Sequence, residues 1–361
     1  MKKNILSAIT VITIILLLVS CVNNVTEDIS NDQELYRIVK RGKWGFINQD
    51  GEVVIKPKYR WALEFSDGLA PVQIGEKMGY INTKGEIVIE PKFDFANAFS
   101  EGLAIIRFGE HIRDRRYGVI DTGGNIVVEP VFENLSGFSD GLANGLKDGK
   151  VVYVDTEGNI VIDKQFDISL DFSEGLASFE SEGKYGYINK KGEVVIEAIF
   201  EGTYYFSEGL AAARVRAEDY PENIPKGVNV EYLYGYIDKT GEFVIEPKYT
   251  SALDFKEGIA LVSIGAEKMG INKNGDVLFK ADVWNFGEGF REGLAPAAIN
   301  VDGNSIIENL KWGFIDINGK FVIEPQFDEV ENFRNGIARV RVGDKWGYIN
   351  TSGEYIWKPS K

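Results

Sequence analysis

Residues 65–94 read FSDGLAPVQIGEKMGYINTKGEIVIEPKFD, a stretch in which three short apolar-rich runs alternate with turn chemistry. The runs Leu69–Ile74, Lys77–Ile81 and Glu86–Glu90 read as strands A, B and C. Between B and C, Asn82-Thr-Lys-Gly85 combines the side chain that favours a type I turn with a glycine suited to the left-handed region. B and C therefore form an antiparallel hairpin, and A adds to B. Pro91 cannot donate to a ladder and marks an edge or a stop of strand C. Phe65 is expected to plug a core between units, and Gly68 to take a positive φ.

The same pattern recurs along the chain. Aromatic–Gly or Met–Gly steps stand at Trp44-Gly45, Met78-Gly79, Tyr117-Gly118, Tyr185-Gly186, Tyr234-Gly235, Met269-Gly270, Trp312-Gly313 and Trp346-Gly347. A degenerate copy at Val151-Val152 brings the count to nine, with a base period of 34 residues. All nine copies start the B–C turn with Asn or Asp and end it with Gly, from Asn48 and Gly51 to Asn350 and Gly353. No segment sustains a 3.6-residue period, so little helix is expected. The motif, over about residues 35–358, resembles the WG-repeat family of bacterial proteins. The resemblance implies a β-rich repeat array, often on secreted or lipid-anchored proteins, with no general biochemical activity attached.

The expected fold is all-β: a tandem array of about nine three-stranded antiparallel repeats over residues 35–361. Nine is an irregular count for a closed propeller, whose blades usually carry four strands. The repeats also begin at strand A (Leu35–Val39) and end at strand C (Glu354–Trp357), with no complementary seam. These features favour an open, solenoid-like stack of roughly 90 Å over the alternative, a closed propeller-like ring.

Ahead of the repeats lies an address. Lys2 and Lys3 precede an apolar stretch, Ile5–Val19, and Leu18-Val-Ser-Cys21 resembles the lipobox of bacterial lipoproteins. Residues 1–20 read as a lipoprotein signal peptide, Cys21 as the lipidated N-terminus of the mature chain, and residues 21–34 as a polar tether. The expected location is the extracytoplasmic side of the cell membrane. With Val22 in place of Asp, a Gram-negative host would put the anchor in the outer membrane.

Composition narrows the chemistry. The net charge of −15 falls to −17 when the two lysines of the signal are removed, which argues against nucleic acid. One Cys and one His exclude disulfides and clusters of Cys or His ligands. His111 lies in a charged insertion beside Arg113, Arg115 and Arg116, a solvated loop rather than a triad. Acids recur before the connector glycine (Asp67, Glu101, Asp140, Glu174 and on), but one acid per turn falls short of a calcium ligand set. The Gly of the aromatic–Gly step is read as room for a neighbouring backbone or ring, with the aromatic packed between repeats. Because Trp, Tyr and Met interchange beside it, packing is favoured over an aromatic sugar platform.

What breaks the pattern is three insertions, all in the A-to-B loop, at roughly 107–116, 215–233 and 299–310. Equivalent loops project from one face of a repeat array, where ligands often bind. The middle insertion carries Tyr220, Pro221, Ile224 and Tyr232, and the first carries Arg113 and Arg115, so these six are the candidate binding residues. The function expected is a non-enzymatic, lipid-anchored envelope protein presenting these loops to a protein or cell-wall partner, with no cofactor and no metal. A structural spacer and a carboxylate-dependent hydrolase are the alternatives.

Overall fold

Each B–C turn folds as its four residues dictate. In the computed structural model, which describes residues 34–163, 168–301 and 310–360, Asn82 Oδ1 accepts the backbone N–H groups of Lys84 and Glu86, and Gly85 takes φ +79°. Gly85 N–H closes the turn on the Asn82 carbonyl at 2.9 Å. The same bonds recur at Asn48, Asn189, Asn272 and Asn350. The connector before strand A is also a two-residue turn. Asp67 (φ +51°) and Gly68 (φ +74°) both lie in the left-handed region, and Ser66 and Leu69 exchange two backbone hydrogen bonds across them. That is type I′ geometry, whose twist matches the strands it joins.

Nine antiparallel sheets result, blades 1 to 9 in chain order. The expectation of three strands per repeat is corrected by a fourth. Seven blades carry a two-residue strand paired to A on the side away from B, such as Phe95–Ala96 against Arg107 and Ile106. In blade 2 this pairing is a single bridge, Ala62 to Val72. Nor does proline end strand C. Val53–Tyr59 runs through Pro57, and a register shift against Trp44–Phe46 forms a bulge there. The proline is tolerated because a bulge on an edge strand needs no ladder N–H.

In most blades the glycine of the aromatic–Gly step sits beneath this bulge; in blade 7 Gly270 faces the Phe279 ring instead. A Cβ on Gly45 would lie 2.5 Å from the Ile55 carbonyl oxygen and 2.5 Å from Pro57 N. Close backbone approach is thus the reason for the glycine, as expected. Its neighbours Trp44, Trp312 and Trp346 are half-buried, and Met78 and Met269 are buried.

The cores lie between blades. The connector phenylalanines, from Phe65 to Phe333, are all buried. Phe99 of blade 3 packs on Tyr80 of blade 2 with ring centroids 4.8 Å apart, and Phe206 and Phe255 repeat that contact on Tyr187 and Tyr236. Each of these tyrosine hydroxyls donates to a carbonyl of the next blade 17 residues on: Asn97, Tyr204 and Leu253, at 2.6–2.8 Å.

The blades close on themselves. Tyr348 of blade 9 packs on Tyr36 of blade 1 with tilted rings, centroids 5.7 Å apart, and its hydroxyl donates to the Arg37 carbonyl at 2.7 Å. Tyr36, Ile38 and Ile47 of blade 1 share one buried cluster with Ile337 and Tyr348 of blade 9. Gln49 adds a bond to the Asn335 carbonyl at 3.2 Å. The open stack is therefore corrected to the alternative: a nine-bladed propeller, spanning the compact unit that begins at Leu35. The seam escapes sequence inspection because it borrows no strand. In blade 3 the Ile105 carbonyl accepts the N–H of Asn97, the residue that follows the short strand. At the equivalent place in blade 1, the Arg37 carbonyl accepts the Tyr348 hydroxyl instead, and the Arg37 N–H is taken by the Glu64 carboxylate at 3.3 Å.

Candidate functional site

The periodic charges are joints between blades. Asp67 accepts the Gly102 N–H of the next connector at 2.9 Å, and the bond repeats from Asp140 to Gly175, Glu174 to Gly209 and Glu292 to Gly336. Lys239 and Lys273 add ion pairs to Glu174 and Glu208 at 3.2 and 3.0 Å. Among the described residues no group of acidic, His or Cys side chains is placed to hold a metal ion. Three of the lysines preceding the aromatic–Gly step pair with the acid 17 residues on: Lys77 with Asp94, Lys184 with Glu201 and Lys311 with Asp328. The 17-residue interval between these charges is the sequence signal for the three pairs.

The short strands and connectors face the ring's axis, where side chains two blades apart feel one another. Glu64 of blade 2, for example, interacts with Arg339 and Glu331 of blade 9. On the same edge, Asp254 has one carboxylate oxygen buried without a hydrogen-bond partner among the described residues. Burial raises its pKa, and Lys256 opposes the shift. An acid whose pKa is raised on folding contributes stability below its unfolded pKa and loses it as pH rises through the folded value. Asp254→Asn should therefore raise the melting temperature at about pH 7 and leave it unchanged at about pH 3, as followed by thermal unfolding at the two pH values.

The face opposite the B–C turns carries the A-to-B loops. In blade 3, Ile112–Asp114 is a single 3-10 turn, with His111 and Arg113 exposed. Arg115 is half-buried, and Arg116 donates to the Arg113 and Arg115 carbonyls. His111 stands at the N-cap of this turn and makes no side-chain capping hydrogen bond. In blade 6, Ala217–Asp219 and Pro221–Asn223 form two successive 3-10 turns, pinned at the base by the Ala217 N–H to the Glu231 carbonyl (2.9 Å) and at the tip by Asn223 Nδ2 to the Pro247 carbonyl (2.9 Å). The blade 8 insertion falls mostly outside the described residues, as does Cys21.

The blade 6 loop roofs a groove of about 540 Å³ between blades 5 and 6. Tyr220 lies edge-on to Phe243 at 6.3 Å, and Phe243 edge-on to Phe200 at 5.9 Å, giving an aromatic floor. At one end the Glu201 carboxylate is held by Lys184 at 2.6 Å and by Arg216 at 3.0 Å, and the Lys184 hydrogen bond keeps its pKa below the usual glutamate value. Asp219, Glu242 and Glu246 line the rest. The Tyr220 hydroxyl is pushed up by burial, with Glu246, Asp219 and Glu222 adding to the shift.

Of the six candidate residues, Tyr220 lines the groove. Tyr232 lies nearby, with the Arg214 and Arg216 guanidinium groups 4.5 and 5.5 Å from its ring centroid. Pro221 starts the second 3-10 turn, and Ile224 follows it, half-buried. Arg113 and Arg115 belong to the same face three blades away and are not brought to the groove. Phe200, Phe243 and Glu246 escape a sequence reading because they occupy ordinary repeat positions. Only the loop above them makes them a site.

A solved structure shares this overall fold. A crystal structure described as that of the eukaryotic initiation factor superposes with a TM-score of 0.61 at 12% identity, covering 91% of this chain and 98% of that one. At that identity the likeness is one of fold alone. The crystal structure of Citrobacter koseri AztD aligns with a TM-score of 0.40 at 11% identity, over 91% of this chain and 93% of its own. No curated protein sequence matches. The WG containing repeat matches seven times, at residues 44–77, 78–110, 117–150, 153–185, 185–216, 234–266 and 312–346. With the repeat covering most of its length, and its glycines and connector phenylalanines in the structural roles described, the chain belongs to the WG-repeat family.

Proposed function

We propose that this propeller is a non-enzymatic display scaffold, tethered to the extracytoplasmic side of a membrane through a lipidated Cys21, whose A-to-B loop face holds a protein or cell-wall partner. The observation that carries the reading is the blade 6 insertion. It is fixed at base and tip by backbone and Asn223 hydrogen bonds, and it encloses an aromatic-floored groove that a short hairpin tip of the regular motif has no residues to roof. A loop already ordered gives up little further entropy on binding, and tyrosine is favoured at interface hot spots.

The test replaces residues 217–230 with a short turn like that at Gly75-Glu76. The expected result is a folded protein that no longer captures its partner when crosslinked in whole envelopes. Unchanged capture would overturn the loop reading in favour of a spacer. The anchor is tested separately: Cys21→Ser should abolish fatty-acid labelling and release the protein from the membrane fraction, and retention there with a cleaved signal would refute lipidation.

A further inference from the structure

The charge left unspent around the blade 5–6 groove is negative. Lys184 and Arg216 are both committed to Glu201. Asp219, Glu242 and Glu246 are exposed and have no ion-pair partner among the described residues. Their carboxylates border a floor made by Phe200, Phe243 and Tyr220. An aromatic floor with acids at its margin suits a long basic side chain, which lays its methylene stem on the rings and keeps its charged head on the carboxylates. Ile199 and Val215, also lining the groove, offer apolar contact to a neighbouring side chain. A volume of about 540 Å³ admits a few side chains of a segment, not a folded domain. The net charge of −15 steers cations toward the molecule and repels polyanions.

We propose that the groove between blades 5 and 6, roofed by the Ala217–Asn223 loop, docks a peptide segment of a partner protein in which Lys or Arg alternates with an apolar residue. The inference rests on the loop-face reading above and names the chemistry of its partner.

The probe is a fluorescein-labelled peptide of alternating Lys and Leu, with a Glu and Leu peptide as its counterpart, titrated against the full chain and followed by anisotropy. The Lys–Leu peptide should bind and the Glu–Leu peptide should not. Asp219→Asn combined with Glu246→Gln should weaken binding about tenfold or more, and Tyr220→Ala should also weaken it. Glu90→Gln combined with Glu129→Gln removes the same net charge at strand C positions of blades 2 and 3, and should change binding less than about twofold. Equal losses from the two charge pairs would reduce the attraction to the general field of the protein and overturn the proposal, as would no binding of the Lys–Leu peptide. If loop replacement abolishes envelope capture while the Lys–Leu peptide fails to bind, this inference falls and the loop reading stands. If the peptide binds through the groove while capture survives loop replacement, this inference stands and the envelope reading falls.

Discussion

Gly45→Ala should cost about 3 kcal/mol of stability, while Gly68→Ala costs about 1 kcal/mol. The two glycines are needed for different reasons. Gly68 has φ +74° and nothing within 4 Å of where a methyl group would stand, so alanine there meets only the left-handed backbone penalty. At Gly45 the backbone is ordinary, but the methyl would press on the Ile55 oxygen at 2.5 Å, Pro57 N at 2.5 Å and Pro57 Cα at 2.8 Å. All three are backbone atoms, so no side chain can rotate away. Relief requires the bulge of strand C to shift, and with it Tyr59, buried against blade 2. Denaturant unfolding of the two variants checks the order. A Gly45→Ala protein as stable as Gly68→Ala would show that the bulge is soft and that the aromatic–Gly step is not set by close packing.

Ending the chain at Asp328, which removes blade 9, should abolish cooperative folding. The cut strips Ile337 and Tyr348 from Tyr36, Ile38 and Ile47 of blade 1. On the other side it strips Phe333, Ala338, Val340 and Ile349 from Leu294, Phe314, Ile323 and Phe327 of blade 8. At about 1.5–3 kcal/mol for each large apolar side chain, re-exposing these seven forfeits roughly 10–20 kcal/mol. That matches or exceeds the roughly 5–15 kcal/mol that typically separates a folded domain from its unfolded state. An open stack would behave otherwise, because each repeat leans only on its neighbours and the loss of a terminal one is local. Circular dichroism and thermal unfolding of the shortened chain decide between them. A soluble product with a single sharp transition would mean that the ring is not held by its seam.

Much of this architecture is legible residue by residue, because it depends on chemistry acting over a few positions. Asn82 and Gly85 specify a hairpin turn by hydrogen bonds within four residues. Phe99 and Gly79 advertise a core plug and a close backbone approach by recurring at the same place in each unit. Strand type, repeat count, connector role and the face carrying the insertions all follow from such local signals. Three features do not. The fourth strand, as at Phe95–Ala96, is two residues long and too short to show alternation. Closure depends on the rotation from one blade to the next, a small angle built from the packing of whole faces, and no single residue encodes it. Its clasp, the Tyr348 hydroxyl on the Arg37 carbonyl, uses an ordinary repeat tyrosine whose partner lies at the far end of the chain. The groove is likewise tertiary. Tyr220 announces itself by standing in an insertion, but Phe200 and Phe243 are routine strand C residues of two different blades. They become a binding floor only because the ring sets those blades side by side and the loop folds down over them, fixed by Asn223 on the Pro247 carbonyl.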